Sequence, residues 1–189
     1  MKHSIVRPLL LVIAVLSLNN FSFAQANTGK QSLRVIIIRH AEKPDKGHSL
    51  SCQGINRASA LVNVLYTKFK LPDYIFVPSV KGNKKTKHAR MSQTIDPFAT
   101  KYNLRIDSKF ALGDEAGLAK FVMEKTGTVL VVWEHNNIPA IAQGLGVTSE
   151  KKLKWKGSDF DTIWIVTFKN GKAELTKDSE NINPAADCK

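Results

Sequence analysis

The chain has 189 residues, 43% of them hydrophobic, and carries 28 Lys and Arg against 16 Asp and Glu, a formal net charge of +12. Two cysteines are too few for a zinc-type cluster, and no internal repeat, low-complexity block or linker divides the chain. The basic balance favours anionic partners: phosphorylated metabolites, nucleic acid or acidic envelope polymers.

Residues 1–26 read as a secretory signal peptide. Lys2 and Arg7 give a positive start, Leu9 to Leu18 is a short apolar run, and Ala24-Gln25-Ala26 is a small-x-small cleavage signal, with cleavage after Ala24 as the alternative. The apolar run is well short of the roughly 20 residues a spanning helix needs. No stable membrane span is therefore expected after cleavage, and no Cys stands at the processing site to take a lipid anchor. The mature chain, 27–189, is expected to be one periplasmic or secreted domain. It keeps 163 residues and a charge of +10, since the leader holds Lys2 and Arg7 and no acidic residue.

Leu33 to Ile38 is rich in β-branched residues and reads as a buried strand, ending on Arg39-His40-Ala41-Glu42. A polar loop, 43–51, follows. Ser51 suits an N-cap for a helix with Ile55, Ala58, Leu61, Val62 and Leu65 on one face. Pro72 and Asp73 punctuate the chain before a strand over Tyr74 to Val77. A basic loop with Lys81, Lys84, Lys85 and Lys87 reads either as a solvated loop or as a guide for anions. It leads to a helix whose apolar face is Ile95, Phe98 and Ala99.

A short strand near Leu104 to Ile106 and a helix from about Glu115 to Glu124 come next. Thr128 to Trp133 is another buried strand, ending in Glu134-His135. Asn137 is placed to cap a helix with Pro139 in its first turn and Gly146 as its stop. Thr162 to Phe168, the Asn170-Gly171 turn and Ala173 to Thr176 form a hairpin. Strands alternating with helices and closed by antiparallel strands predict a three-layer α/β/α sandwich with a mostly parallel mixed central sheet. Two strands thus deliver a histidine at their carboxyl ends, where α/β folds bind ligands. An arginine beside an imidazole there suits capture of an anion, above all a phosphate.

The run Val35 to Glu42, the segment Leu50-Ser51-Cys52-Gln53-Gly54-Ile55-Asn56-Arg57-Ala58, the element Arg90-Met91-Ser92-Gln93-Thr94 and the strand end Val131 to Asn136 occur in one order. Together they resemble the motifs of the histidine phosphatase superfamily, whose fold is phosphoglycerate-mutase-like. Ala41 stands where many members carry Gly. The resemblance implies a phosphoric monoester hydrolase in which His40 attacks phosphorus, forming a phosphohistidine. Arg39 and Arg90 would grip phosphoryl oxygens through their planar forks, and His135 would be a further donor to them. These side chains would carry the charge without a metal or cofactor.

The proton donor is left open among Glu115, Asp114, Glu42 and Glu134, with Glu115 first. Each also reads as a solvated or salt-bridged carboxylate. His40, Glu42 and His135 could suggest a metal site, but neither a downstream Cys-x-x-Cys nor His-Glu-x-x-His accompanies them. The expected partner is a small anionic phosphorylated substrate and not nucleic acid: Trp133, Trp155 and Trp164 lie on or near strands and read as core or pocket wall. A catalytically weak phosphate- or phosphoglycan-binding module and a phosphohistidine-protein phosphatase are the alternatives. Cys52 and Cys188 are either a disulfide, which export permits, or two free thiols. Oligomeric state is not legible.

Overall fold

The computed structural model describes Met1 and residues 32–80, 89–148 and 153–188. The expected signal peptide, the lysine-rich loop and His88 lie outside these residues.

Six strands form one sheet in the order β3-β2-β4-β1-β5-β6. β1 (Arg34–Arg39) and β4 (Thr128–Trp133) are central parallel neighbours, in register from Arg34 with Thr128 to Arg39 with Trp133. β2 (Tyr74–Phe76) pairs parallel with β4, and β3 (Ile106–Asp107) pairs parallel with β2. On the other side, β5 (Thr162–Lys169) and β6 (Lys172–Ser179) are antiparallel. The sheet is thus mixed and mostly parallel.

Because successive side chains alternate across a strand, β1 and β4 feed two separate cores. Val35 and Ile37 face a core shared with Val129, Val131 and Trp133 and with Leu118, Val122 and Ile141. Those partners come from α3 (Glu115–Met123) and α4 (Ile138–Gly144). Ile36 and Ile38 face Leu61, Leu65, Ile95 and Phe98, from α1 (Cys52–Phe69) and α2 (Ala89–Lys101). Helices cover both faces, which is the expected three-layer sandwich. Among the described residues no helix is long and apolar enough to cross a membrane.

Local signals set most boundaries. Ser51 caps α1, its Oγ accepting from the Gly54 N–H at 3.1 Å. Asn170 and Gly171 have φ of 51° and 75°, the two positive values that a type I′ hairpin turn requires. Two expectations shift. The strand expected near Leu104 to Ile106 begins only at Ile106, because Tyr102 and Asn103 continue the end of α2 and Asn103 takes a φ of 52°. Asn137 occupies the N-cap of α4 but makes no side-chain cap bond; its amide is drawn instead to Glu115. α4 has only seven residues, and Gly146 stops it as expected: at a φ of 91° its N–H donates to the Gln143 carbonyl while the Val147 N–H donates to the Ala142 carbonyl.

Cys52 and Cys188 are joined in a disulfide that spans 136 residues, with their Cα atoms 4.8 Å apart. The C-terminal segment is thereby strapped along the start of α1, where Asn56 Nδ2 also donates to the carbonyls of Ala185 and Asp187.

Candidate active site

β1 and β4 end side by side, so Arg39 and Trp133 are register partners and the chain beyond each runs into one crevice. The His40 N–H donates to the Trp133 carbonyl at 3.1 Å, extending the ladder one residue past β1. Two further motif segments then lock the turn after His40. The Ala41 N–H donates to Thr94 Oγ1 at 2.9 Å, and that hydroxyl donates to the Arg90 carbonyl at 2.7 Å. Gln93 Oε1 accepts from the Leu50 N–H, and the Ser51 N–H donates to the Glu42 carbonyl. A Cβ at Gly54 would run into that same Glu42 carbonyl, so α1 can approach only through a glycine. Much of what reads as a catalytic motif is therefore docking surface for two helices against one turn.

His40 is 2% exposed, and its Nδ1 lies 2.7 Å from the Ala41 carbonyl oxygen. A carbonyl only accepts, so Nδ1 carries the proton and Nε2 keeps its lone pair. Burial pushes the imidazole pKa down to about 4; the Ala41 bond opposes this, while Arg39, Arg90 and His135 reinforce it. The ring is neutral at ordinary pH.

Arg39 is 5% exposed. Its Nη1 donates to the carbonyls of Gly157 at 2.6 Å and Asp159 at 3.0 Å, and its Nε is buried without a hydrogen-bond partner. Burial lowers its pKa to about 10, against the charges of Glu134, Asp159 and Glu42. It remains a cation. Arg90 enters from the first turn of α2. Its Nε donates to the His48 carbonyl at 3.1 Å and its Nη2 to the Gly47 carbonyl at 3.4 Å.

His135 follows β4, with Nδ1 2.9 Å from Glu134 Oε1. That approach lacks hydrogen-bond geometry, and the buried Nδ1 is without a partner. Burial and then Arg39 lower its pKa, with Glu134 opposing. A Cβ at Gly157 would stand 3.6 Å from His135 Nε2, so the backbone that holds Arg39 also passes the second histidine. Beside His135 opens a cleft of about 410 Å³, bordered by Pro139, Leu153, Lys154 and Trp155.

The carboxylates considered as proton donors are all engaged. Glu115, 6% exposed, receives three N–H donors on Oε1: Trp133 Nε1, Asn137 Nδ2 and the Gly113 amide, each at 2.9 Å. Asp114 caps α3 through the Gly117 N–H. Glu134 accepts from Asn136 Nδ2 at 3.0 Å. Both oxygens of Glu42 accept from Arg57 Nε at 3.0 Å.

Arg57 is the residue that the sequence reading passed over. It is 5% exposed, and its Nη1 donates to Glu180 at 2.6 Å while its Nε holds Glu42. One cation thus joins the turn after His40 to the segment after β6. Burial would lower the Arg57 pKa, but the bonds and charges of Glu42 and Glu180 raise it overall. Glu180 is pushed up to about 8, first by burial, with Arg57 opposing and Asp161 and Glu42 reinforcing. With two buried carboxylates on one guanidinium, Glu180 is the site that takes up a proton. Among the described residues no three His, Cys, Asp or Glu side chains are grouped so as to hold a metal ion.

The mixed six-stranded sheet between helices is a phosphoglycerate-mutase-like α/β fold, and solved structures share it. The protein histidine phosphatase SixA complexed with tungstate superposes with a TM-score of 0.57 at 17% identity, over 78% of this chain and 97% of that one. A phosphoserine phosphatase mutant from Entamoeba histolytica, in complex with phosphoserine, gives 0.54 at 13% identity, over 79% and 97%. The alpha-ribazole phosphatase from Shigella flexneri gives 0.53 at 14% identity, over 76% and 94%. No protein-family model and no curated protein matches the sequence.

Proposed function

We propose that this chain is an exported, metal-independent phosphatase that hydrolyses phosphomonoesters through a phosphohistidine on His40. The observation that carries the reading is the His40 ring: neutral, fixed through Nδ1 on the Ala41 carbonyl, and surrounded by Arg39, Arg90 and His135. Phosphoryl transfer depends on positioning and on stabilising negative charge, and this arrangement supplies both. Nε2 attacks phosphorus and the ester oxygen departs with its electron pair. Water then attacks the phosphohistidine, releasing phosphate and restoring the ring. Arg39, Arg90 and His135 take the oxygen charge in both steps. The Cys52–Cys188 bridge supports the oxidising compartment that a signal peptide implies.

The four candidate carboxylates all hold hydrogen bonds to protein N–H groups, which favours substrates whose leaving group needs little protonation. A phosphohistidine in a protein meets that condition, since an imidazole protonated on its other nitrogen leaves neutral. Phosphohistidine-protein phosphatase action is therefore the second reading.

The test is hydrolysis of an aryl phosphate by the purified mature protein, with and without chelator, against His40→Ala. Turnover and acid-labile phosphate on His40 are expected in the wild type alone. Equal inactivity of both proteins, with inorganic phosphate still bound, would replace the phosphatase with a binding module. Loss of activity with chelator would count against metal independence.

A further inference from the structure

Residues 155–161 lead into β5 and form a hydrogen-bonded turn beside Arg39 and His40. Asp159 organises it. Oδ1 accepts from the N–H groups of Asp161 and Thr162, both at 3.0 Å, and Oδ2 accepts from Thr162 Oγ1 at 2.6 Å. The Asp159 carbonyl accepts from Trp155 Nε1 at 2.9 Å, and the buried Trp155 ring packs 5.2 Å from that of Trp164 on β5. Two carbonyls of this turn, Gly157 and Asp159, occupy Arg39 Nη1. Phe160 lies with its ring centre 3.7 Å from Arg39 Cζ and meets the His40 ring edge-on at 6.2 Å.

We infer that the Asp159 turn is a positioning element for the phosphoryl site, in which Phe160 clamps Arg39 and walls His40 from water. With Nη1 held by two carbonyls and one guanidinium face covered by the ring, Arg39 is restrained from turning. Its buried, unpartnered Nε is left as a donor for an incoming anion oxygen, and an anion there removes the cost of leaving that donor unsatisfied. Phe160 is also the uncharged face of the pocket. The charged and titratable groups facing His40 are Arg39 at the end of its own strand, Arg90 from α2 and His135 beyond β4. Only the assumption that the anion is a phosphoryl group rests on the phosphatase reading.

The experiment compares wild type, Phe160→Leu and Phe160→Tyr by NMR titration of the His40 ring and by calorimetric binding of inorganic phosphate, neither of which needs turnover. Phe160→Leu removes the stacked ring. It is expected to raise the His40 midpoint by about one pH unit as water reaches the imidazole, and to weaken phosphate binding about three- to tenfold. Phe160→Tyr keeps the ring and is expected to restore both. An unchanged midpoint and affinity in a folded Phe160→Leu protein overturns the inference, as does a Tyr variant that behaves like Leu. If Phe160→Leu does not fold, Phe160→Met makes the same comparison. A wild type that fails to cleave phenyl phosphate yet shows these shifts overturns the phosphatase reading alone.

Discussion

The His40 ring donates from Nδ1 to the carbonyl of its own neighbour, Ala41, and that carbonyl belongs to a turn whose N–H is held by Thr94. The tautomer of the His40 ring is thus set by backbone, and α2 fixes the backbone.

A pH profile should report this arrangement directly. His40 titrates near 4, below its usual 6.5. If His40 attacks phosphorus as proposed, the acid limb of kcat/KM is expected near pH 4, with the ring neutral throughout the range above it. Between pH 4 and 6.5 the unfolded chain binds more protons at His40 than the folded one, so this group's contribution to stability is lost as pH falls through that window. An acid limb near 6.5, traced to His40 by NMR, would contradict the buried neutral ring.

Arg57 is expected to matter for stability more than its distance from the chemistry suggests. Arg57→Met leaves the Glu42 carboxylate buried without its cation, Glu180 already holding a proton at neutral pH, and such a break costs about 3–5 kcal/mol. Urea unfolding at neutral pH measures it. A loss below about 1 kcal/mol, the range of surface pairs, would show that the cluster is solvated.

Glu180 gives an opposite pH signature. Its pKa is raised to about 8 on folding. From the ordinary carboxylate range up to pH 8 the folded state therefore binds more protons at this site, and stability falls as pH rises. The slope from one such proton approaches about 1.4 kcal/mol per pH unit. Glu180→Gln cannot lose that proton, so its stability should depend less on pH between 5 and 8. Parallel slopes for the two proteins would place the raised titration elsewhere.

The bridge between Cys52 and Cys188 closes a span of 136 residues. On chain-entropy grounds, its removal costs up to about 5 kcal/mol. The double variant Cys52→Ser, Cys188→Ser should unfold at lower denaturant than the oxidised protein, and reductant should leave the variant unchanged. Identical midpoints with and without the bridge would mean that Asn56 and Arg57 alone secure the tail.

Gly54→Ala tests whether α1 docks on the turn after His40. The added Cβ meets the Glu42 carbonyl oxygen, a backbone atom that cannot swing aside. Reduced stability should come with weakened phosphate binding, because moving Glu42 moves Ala41 and the His40 tautomer bond. Normal phosphate affinity in a destabilised but folded variant would separate the docking contact from the site.

β4 is legible to the residue because Val129 to Trp133 is continuously apolar and Thr128 before it is β-branched and follows Gly127. β1 is displaced by one residue, since Arg34 and Arg39 disguise its ends although Arg39 is buried. The pairing of Arg39, His40, Arg90 and His135 is legible from motif order. Arg57 is not: its partners lie at residues 42 and 180, and only tertiary packing brings them together. The Asp159 turn did leave a trace, since Asp at 159 followed by Asp161 and Thr162 is a local side-chain-to-backbone pattern. Glu115 shows the limit of such reading. A carboxylate after a glycine suggests a proton donor, whereas here it gathers N–H groups from Trp133, Asn137 and Gly113.

The disulfide also marks the state of the chain. In the fold its two sulfurs meet where the segment beyond β6, an edge strand, comes back to α1, so a bridged molecule has its last segment tied to its first helix. A cell that exports this chain, as proposed, would thus leave a chemical mark on the molecules that have reached an oxidising compartment. Thiol labelling would distinguish an incomplete chain from a mature one before any activity is measured.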